Sequence, residues 1–146
     1  MNIDTIGSQD MTDETPAIQC DLTALPDGGR ERVTALAGKL IPMARAVRDL
    51  PDGYALGYHD VSPELFSDIA DFIALDRLCC PFLCHGLVSD PGRGTVWLEL
   101  TGRQGAKEAI ASDIAQLLSD DLAIAAGLHR PGRSMMPAGS SRSQSR

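Results

Sequence analysis

SPELFSDIADFIALDRLCCPFLCHGLVSDPGRGTVWLELT, from Ser62 to Thr101, carries a helix, a sharp turn and a β-hairpin in direct succession. Ser62 offers a hydroxyl as a helix cap. Pro63 suits the first turn, where its missing N–H has no partner to lose, and Glu64 sets a carboxylate at the positive end of the helix dipole. Phe66, Ile69, Phe72 and Ile73 then recur at helical spacing. Pro81 disfavours helical geometry in the residue before it, so the helix is predicted to end near Cys80. Phe82 to Ser89 reads as a strand, Asp90-Pro91-Gly92-Arg93-Gly94 as a hairpin loop, and Thr95 to Thr101 as the returning strand. In that returning strand Val96, Leu98 and Leu100 face one way, and Thr95, Trp97, Glu99 and Thr101 the other.

Working toward the N-terminus, Leu50-Pro51-Asp52-Gly53 is a turn by its chemistry, and Tyr54 to His59 follows as a strand. Tyr54, Leu56 and Tyr58 share one face of it; Ala55, Gly57 and His59 share the other. From Arg30 to Asp49, Val33, Leu36, Leu40, Ala44 and Val47 mark one face of a helix. Pro42 removes that helix's bond to Gly38, which predicts a kink or a break there. Pro26-Asp27-Gly28-Gly29 breaks the chain before it, with Asp27 or Gly28 as the cap. Ala17 to Leu22 reads as an edge strand. Toward the C-terminus, Ala106, Ile110, Ile114 and Leu117 define a helix from about Gln104 to Ser119, and Leu122 to Ala126 is either a short strand or a helical extension.

The predicted order is β-α-β-α-β-β-α. It belongs to the α+β class: a two-layer α/β sandwich with a small mixed sheet and one clear antiparallel hairpin. The helix from Ser62 links two strands that could lie parallel by a right-handed crossover. No internal repeat is visible.

A chain of 146 residues with 43% hydrophobic residues has room for one domain with a real core, built mainly from aliphatic residues because aromatics make up only 4%. Residues 1–15 are acidic and aperiodic, and residues 127–146 are basic and rich in Ser, Gly and Pro. Both are expected to be disordered tails around a single domain at 16–126. A net charge of -7 argues against nucleic acid and against an anionic membrane surface. The acidic start is unlike a secretory signal, and no apolar run is long enough to span a bilayer. A cytoplasmic location is therefore expected, with the four cysteines as thiols.

Cys79-Cys80-Pro81-Phe82-Leu83-Cys84-His85 is the distinctive chemical feature. Thiolates and imidazole are the ligands that soft and borderline metals prefer, so Cys79, Cys80, Cys84 and His85 form a candidate metal set. Neighbours on a helix point about 100° apart, and Cys84 and His85 on a strand point to opposite faces. At most two or three of the four can therefore meet at one point, and Cys20 could complete a set if it lies nearby. Redox catalysis favours a Cys-x-x-Cys pair at a helix N-terminus; this adjacent pair sits at a C-terminus, where the dipole raises thiol pKa. Buried thiols also serve as plain packing groups.

Three readings follow. The first is a protein that binds or senses a soft metal or metalloid (zinc, copper(I), mercury(II) or arsenite) through vicinal cysteines. The second is a non-catalytic structural or interaction domain, possible as a homodimer through an open strand edge, with the cysteines in the core. The third is a thiol redox protein.

Other signals are weaker. Gly102, Arg103 and Gly105 join a strand to a helix and could hold an anion on backbone amides, but a tight turn accounts for them without a ligand. Asp68, Asp71 and Asp76 read as the solvated face of their helix. No nucleophile elbow, zinc-protease signature or calcium loop is present, and nothing specifies an enzyme.

Leu50-Pro51-Asp52-Gly53-Tyr54, Phe72 through Phe82, Val96-Trp97-Leu98-Glu99-Leu100-Thr101-Gly102 and Gly105-Ala106-Lys107-Glu108 together resemble a family of small uncharacterised bacterial proteins. The likeness spans roughly Ile18 to Leu118, and Cys79-Cys80-Pro81-Phe82 is its most specific part. The family pattern has glutamate at the place of Asp76 and does not include Cys84. The resemblance therefore points to Cys79 and Cys80 as the principal ligands, and it implies no activity.

Overall fold

The computed structural model of the chain describes residues 20–92 and 94–128. After a 3-10 turn at Leu22–Ala24 come α1 (Gly29–Met43), β1 (Ala46–Leu50), β2 (Gly53–Tyr58) and α2 (Pro63–Cys79). β3 (Leu83–Ser89), β4 (Val96–Gly102), α3 (Ala106–Leu117) and α4 (Asp120–Ala125) complete the order. The α+β class and the β3–β4 hairpin match the sequence reading. Helix α2 starts as its signals dictate: the Ser62 Oγ accepts a hydrogen bond from the Leu65 N–H at 3.1 Å, and Pro63 opens the helix.

The four strands lie in the order β1-β2-β4-β3, and every ladder is antiparallel. β2 and β3 both run against β4, so they point the same way, as the expected crossover through α2 requires. They are not neighbours, because the hairpin folds β4 back between them. The sheet is thus antiparallel rather than mixed, with β1 and β3 at its edges.

Two local expectations are corrected. The helix predicted to reach Asp49 ends at Met43, and residues 46–50 pair with β2. Pro42 has no N–H for the Gly38 carbonyl, and the chain leaves the helix two residues later with the Ala44 N–H on Ile41 O at 3.1 Å. Ala44 and Val47 kept the helical spacing by coincidence. Val47 instead faces Leu56 across a hairpin closed by Pro51-Asp52. The strand predicted at 17–22 is also absent where it is described: Cys20 and Asp21 have no regular structure and Leu22 opens the 3-10 turn. Residues 17–19 lie outside the described residues, as do Arg93 of the hairpin loop and nearly all of both expected tails. Of the segment Leu122 to Ala126, residues 122–125 are helix and Ala126 is the C-cap, and Leu128 still packs on the core.

The helices cover one face of the sheet. Leu56, Tyr58, Val96, Leu98 and Leu100 point into them and meet Leu36 and Leu40 of α1, Ile69 and Phe72 of α2, and Ile110 and Ile114 of α3. Tyr58 is buried with its hydroxyl donating to the Leu40 carbonyl at 2.9 Å, and burial pushes its pKa upward. On the opposite face the Trp97 ring lies under the Arg48 guanidinium, 3.9 Å from the ring centroid. Gly53 is required where β2 meets β4, since a Cβ there would stand 1.9 Å from the Leu100 carbonyl oxygen.

Candidate functional site

Asp76, Cys79 and Cys80 stand at i, i+3 and i+4, so the last turn of α2 gathers them on one side. The Cys80 N–H closes that turn on Asp76 O at 2.8 Å, and the chain then departs toward Pro81. The segment before the 3-10 turn is tied to the same place by the Asp21 N–H, which donates to the Cys79 carbonyl at 2.6 Å. That bond brings Cys20 alongside. Cys20 and Cys80 form a disulfide across a separation of 60 residues, so the expectation of four free thiols is corrected for these two. The Sγ atoms of Cys20, Cys79 and Cys80 all lie within 4.8 Å of one another.

Cys79 keeps its thiol. Its Sγ is 3.7 Å from that of Cys80 and donates toward Asp76, at 3.6 Å from the main-chain oxygen and 3.9 Å from Oδ1. Cys80 Sγ stands 3.7 Å from the same Oδ1. Cys79 and Cys80 are only 2% and 3% exposed, whereas Cys20 is exposed. Burial pushes the Cys79 thiol pKa up and the Asp76 carboxylate pushes it further. The position at a helix C-terminus acts in the same direction. This thiol is held protonated, the opposite of an activated nucleophile.

Cys84 and His85 separate to opposite faces of β3, as the strand geometry predicts. His85 turns inward, opposite Leu100, and its Nε2 meets Asp76 Oδ2 at 2.8 Å with the ring 4% exposed. It stands behind the carboxylate and supports it. Cys84, opposite Thr101, is exposed and outside the sulfur cluster. The group that the fold assembles among the described residues is thus Cys20, Cys79 and Cys80, with Asp76 beside it and His85 behind.

Asp76 also departs from the solvated-face reading. Asp68 and Asp71 behave as that reading expects, pairing with Lys39 and Arg32 at the surface. The hydrogen bond from Lys39 holds the Asp68 carboxyl below its usual range. Among the described residues no lysine or arginine pairs with Asp76, which meets the thiols and His85 instead.

The sulfurs lie against a cleft of about 510 Å³ between α1 and α3, floored by Leu83 and Leu100 of the sheet. Its lining is mostly aliphatic. Asp113 reaches it from α3, and its carboxyl is pushed above the usual range by desolvation and by Asp76.

The Gly102–Gly105 link is a tight strand-to-helix turn. A Cβ on Gly102 would stand 2.5 Å from the Ala106 Cβ and 2.8 Å from Phe82 O. Gly105 caps α3, and Arg103 is exposed. Among the described residues no helix is long and apolar enough to cross a membrane. No family model, curated protein or solved structure matches the chain.

Proposed function

We propose that this chain, when reduced, binds a soft metal ion or metalloid through Cys20, Cys79 and Cys80. The observation that carries the reading is the spacing of donors at the end of α2. A tetrahedral ion bound to sulfur at about 2.3 Å sets neighbouring sulfurs about 3.8 Å apart, and a sulfur and a carboxylate oxygen about 3.6 Å apart. Cys79 and Cys80 Sγ are 3.7 Å apart, with Asp76 Oδ1 at 3.9 and 3.7 Å from them. Those edges suit two thiolates and a carboxylate on one ion, with Cys20 as the third sulfur once its bridge is opened. His85, hydrogen-bonded to Oδ2, fits the role of a residue that orients a ligating carboxylate. The resemblance noted above fits the weight placed on Cys79 and Cys80.

Oxidation and binding exclude each other in this reading, because a disulfide sulfur has no thiolate to give. The test uses the full chain reduced by a small thiol, with zinc, copper(I), mercury(II) and arsenite titrated in turn. Uptake of one equivalent by at least one of them is expected, with loss in a Cys79→Ser, Cys80→Ser double variant and retention in Cys84→Ser. No uptake of any, or equal uptake by the double variant, refutes the reading.

The burial of Cys79 and Cys80 favours a second reading, a structural or interaction domain in which both are core residues. It expects a thiol reagent to label Cys79 of the reduced native chain no faster than global unfolding allows. The Cys20–Cys80 bridge is compatible with thiol redox chemistry, but a thiol held protonated beside a carboxylate is poorly placed to attack a disulfide.

A further inference from the structure

An ion or an arsenite group takes up little more than the room of one water, about 30 Å³. The cleft beside the sulfurs holds about 510 Å³, the scale of pockets that enclose small organic molecules. Away from the sulfurs its walls are mainly apolar: Val33, Ala37 and Ile41 of α1, Phe72 of α2, Ile110 and Ile114 of α3. Among the described lining residues the charged groups are Asp76 and Asp113, with no lysine or arginine. Such a wall rejects anions and accepts a neutral or cationic apolar group. Gly38 lies at the exposed rim of the cleft, where a Cβ would meet nothing within 4 Å.

We propose that the cleft takes a thiophilic element carrying one apolar organic group, as in a monoaryl or monoalkyl arsenic(III) compound. This rests on the thiol reading above. The element binds the sulfurs of Cys79 and Cys80, and the organic group lies between α1 and α3. The Cys20–Cys80 bridge is first opened by two equivalents of a small thiol, which leave as their own disulfide. An organoarsenic oxide then condenses with two protein thiols. The As=O and two S–H bonds break, two As–S bonds form, and water leaves with arsenic still in the +3 state.

The test competes the reduced full chain against dithiothreitol for arsenite, methylarsine oxide and phenylarsine oxide, so that intrinsic As–S strength cancels. The phenyl compound is expected to partition to the protein at least about tenfold more than the methyl compound, because only its ring fills apolar space. Gly38 and Leu117 line the rim of the cleft on α1 and α3, and Gly38→Phe and Leu117→Trp place a ring at each wall to narrow it. Each should abolish the phenyl preference while arsenite still binds, and far-UV circular dichroism with a cooperative urea transition reports that the variant is folded. If phenyl and methyl partition alike on the unmodified chain, the cleft has no such role, whatever the variants do. A phenyl preference that survives in both folded variants overturns the proposal equally. Failure of arsenite and of both organoarsenic compounds on the unmodified chain overturns this proposal, and the thiol reading beneath it falls only if zinc, copper(I) and mercury(II) fail as well.

Discussion

Replacing Cys20 with serine, or reducing the chain, removes a cross-link between residues 60 apart in sequence. In the chain-entropy description, a loop of that length restricts the unfolded ensemble by about 4 kcal/mol at 25 °C. Native contacts change little, because the Asp21 N–H to Cys79 carbonyl bond holds the same segment in place. The figure is a ceiling, since a denatured state with residual structure has less freedom to lose. With a urea slope of about 1.5 kcal/mol/M for a domain of this size, the midpoint should fall by up to about 2–3 M. Trp97, the only tryptophan, reports unfolding by fluorescence from its place on the sheet beneath Arg48. Oxidised wild type should unfold at the highest urea. Reduced wild type and Cys20→Ser should coincide below it, the variant being insensitive to reductant. Coincident curves for oxidised and reduced wild type would refute the reasoning, and so would a Cys20→Ser variant that still responds to reductant.

Asp76→Asn removes the carboxylate that helps raise the Cys79 thiol pKa. Cys79 should then alkylate faster at pH 8 in the reduced chain, while cation binding weakens by about tenfold or more; a change of both in one direction contradicts the site as described. Because the folded Cys79 pKa is raised, its contribution to stability is complete below the unfolded thiol value of about 8.5. It is lost as pH rises through the folded value. Urea midpoints of the oxidised chain between pH 7 and 10 should show that decline, and Cys79→Ala should flatten it; identical slopes would count against the assignment. Gly53→Ala forces a Cβ to within 1.9 Å of a backbone oxygen that cannot yield without breaking the β2–β4 ladder. A loss of more than about 2 kcal/mol is expected, and a variant within 0.5 kcal/mol of wild type, the scatter of about that size for harmless surface changes, would show the approach to be relaxed in solution.

Legibility followed the range of the interactions. Helix α2 and the β3–β4 hairpin could be read from Ser62 to Thr101 because cap, proline, turn and alternation all lie within a few residues of what they control. The β1–β2 hairpin was hidden by a local coincidence. Val33 to Val47 keep helical spacing straight through Pro42, and the pairing that decides the matter, Val47 with Leu56, is a tertiary fact. The site divides the same way. Cys79 and Cys80 were visible as a motif, and the opposed directions of Cys84 and His85 follow from strand geometry alone. Asp76 could have been found from its i, i+3, i+4 relation to the two cysteines, a signal obscured by two other aspartates on the same helix that do face solvent. Cys20 could not have been placed, because what seats it is one backbone bond from Asp21 to the end of α2.

Asp76 decides what kind of chemistry this corner of the fold can support. A catalytic thiol needs a neighbour that stabilises the thiolate: a cation, an imidazolium, or a helix N-terminus. Here the nearest charged group is a carboxylate, the helix presents its C-terminus, and the imidazole meets the carboxylate rather than the sulfur. All three raise the energy of a bare thiolate or leave it unhelped. A bound cation reverses the balance, since it supplies the charge that both thiolates and the carboxylate lack, and the same Asp76 then contributes to binding. An arrangement that suppresses the free thiolate and rewards the metallated one suits a receptor for a thiophilic element better than a redox catalyst. The two roles demand opposite signs from Asp76→Asn, which is why thiol reactivity and cation affinity have to be measured on the same variant.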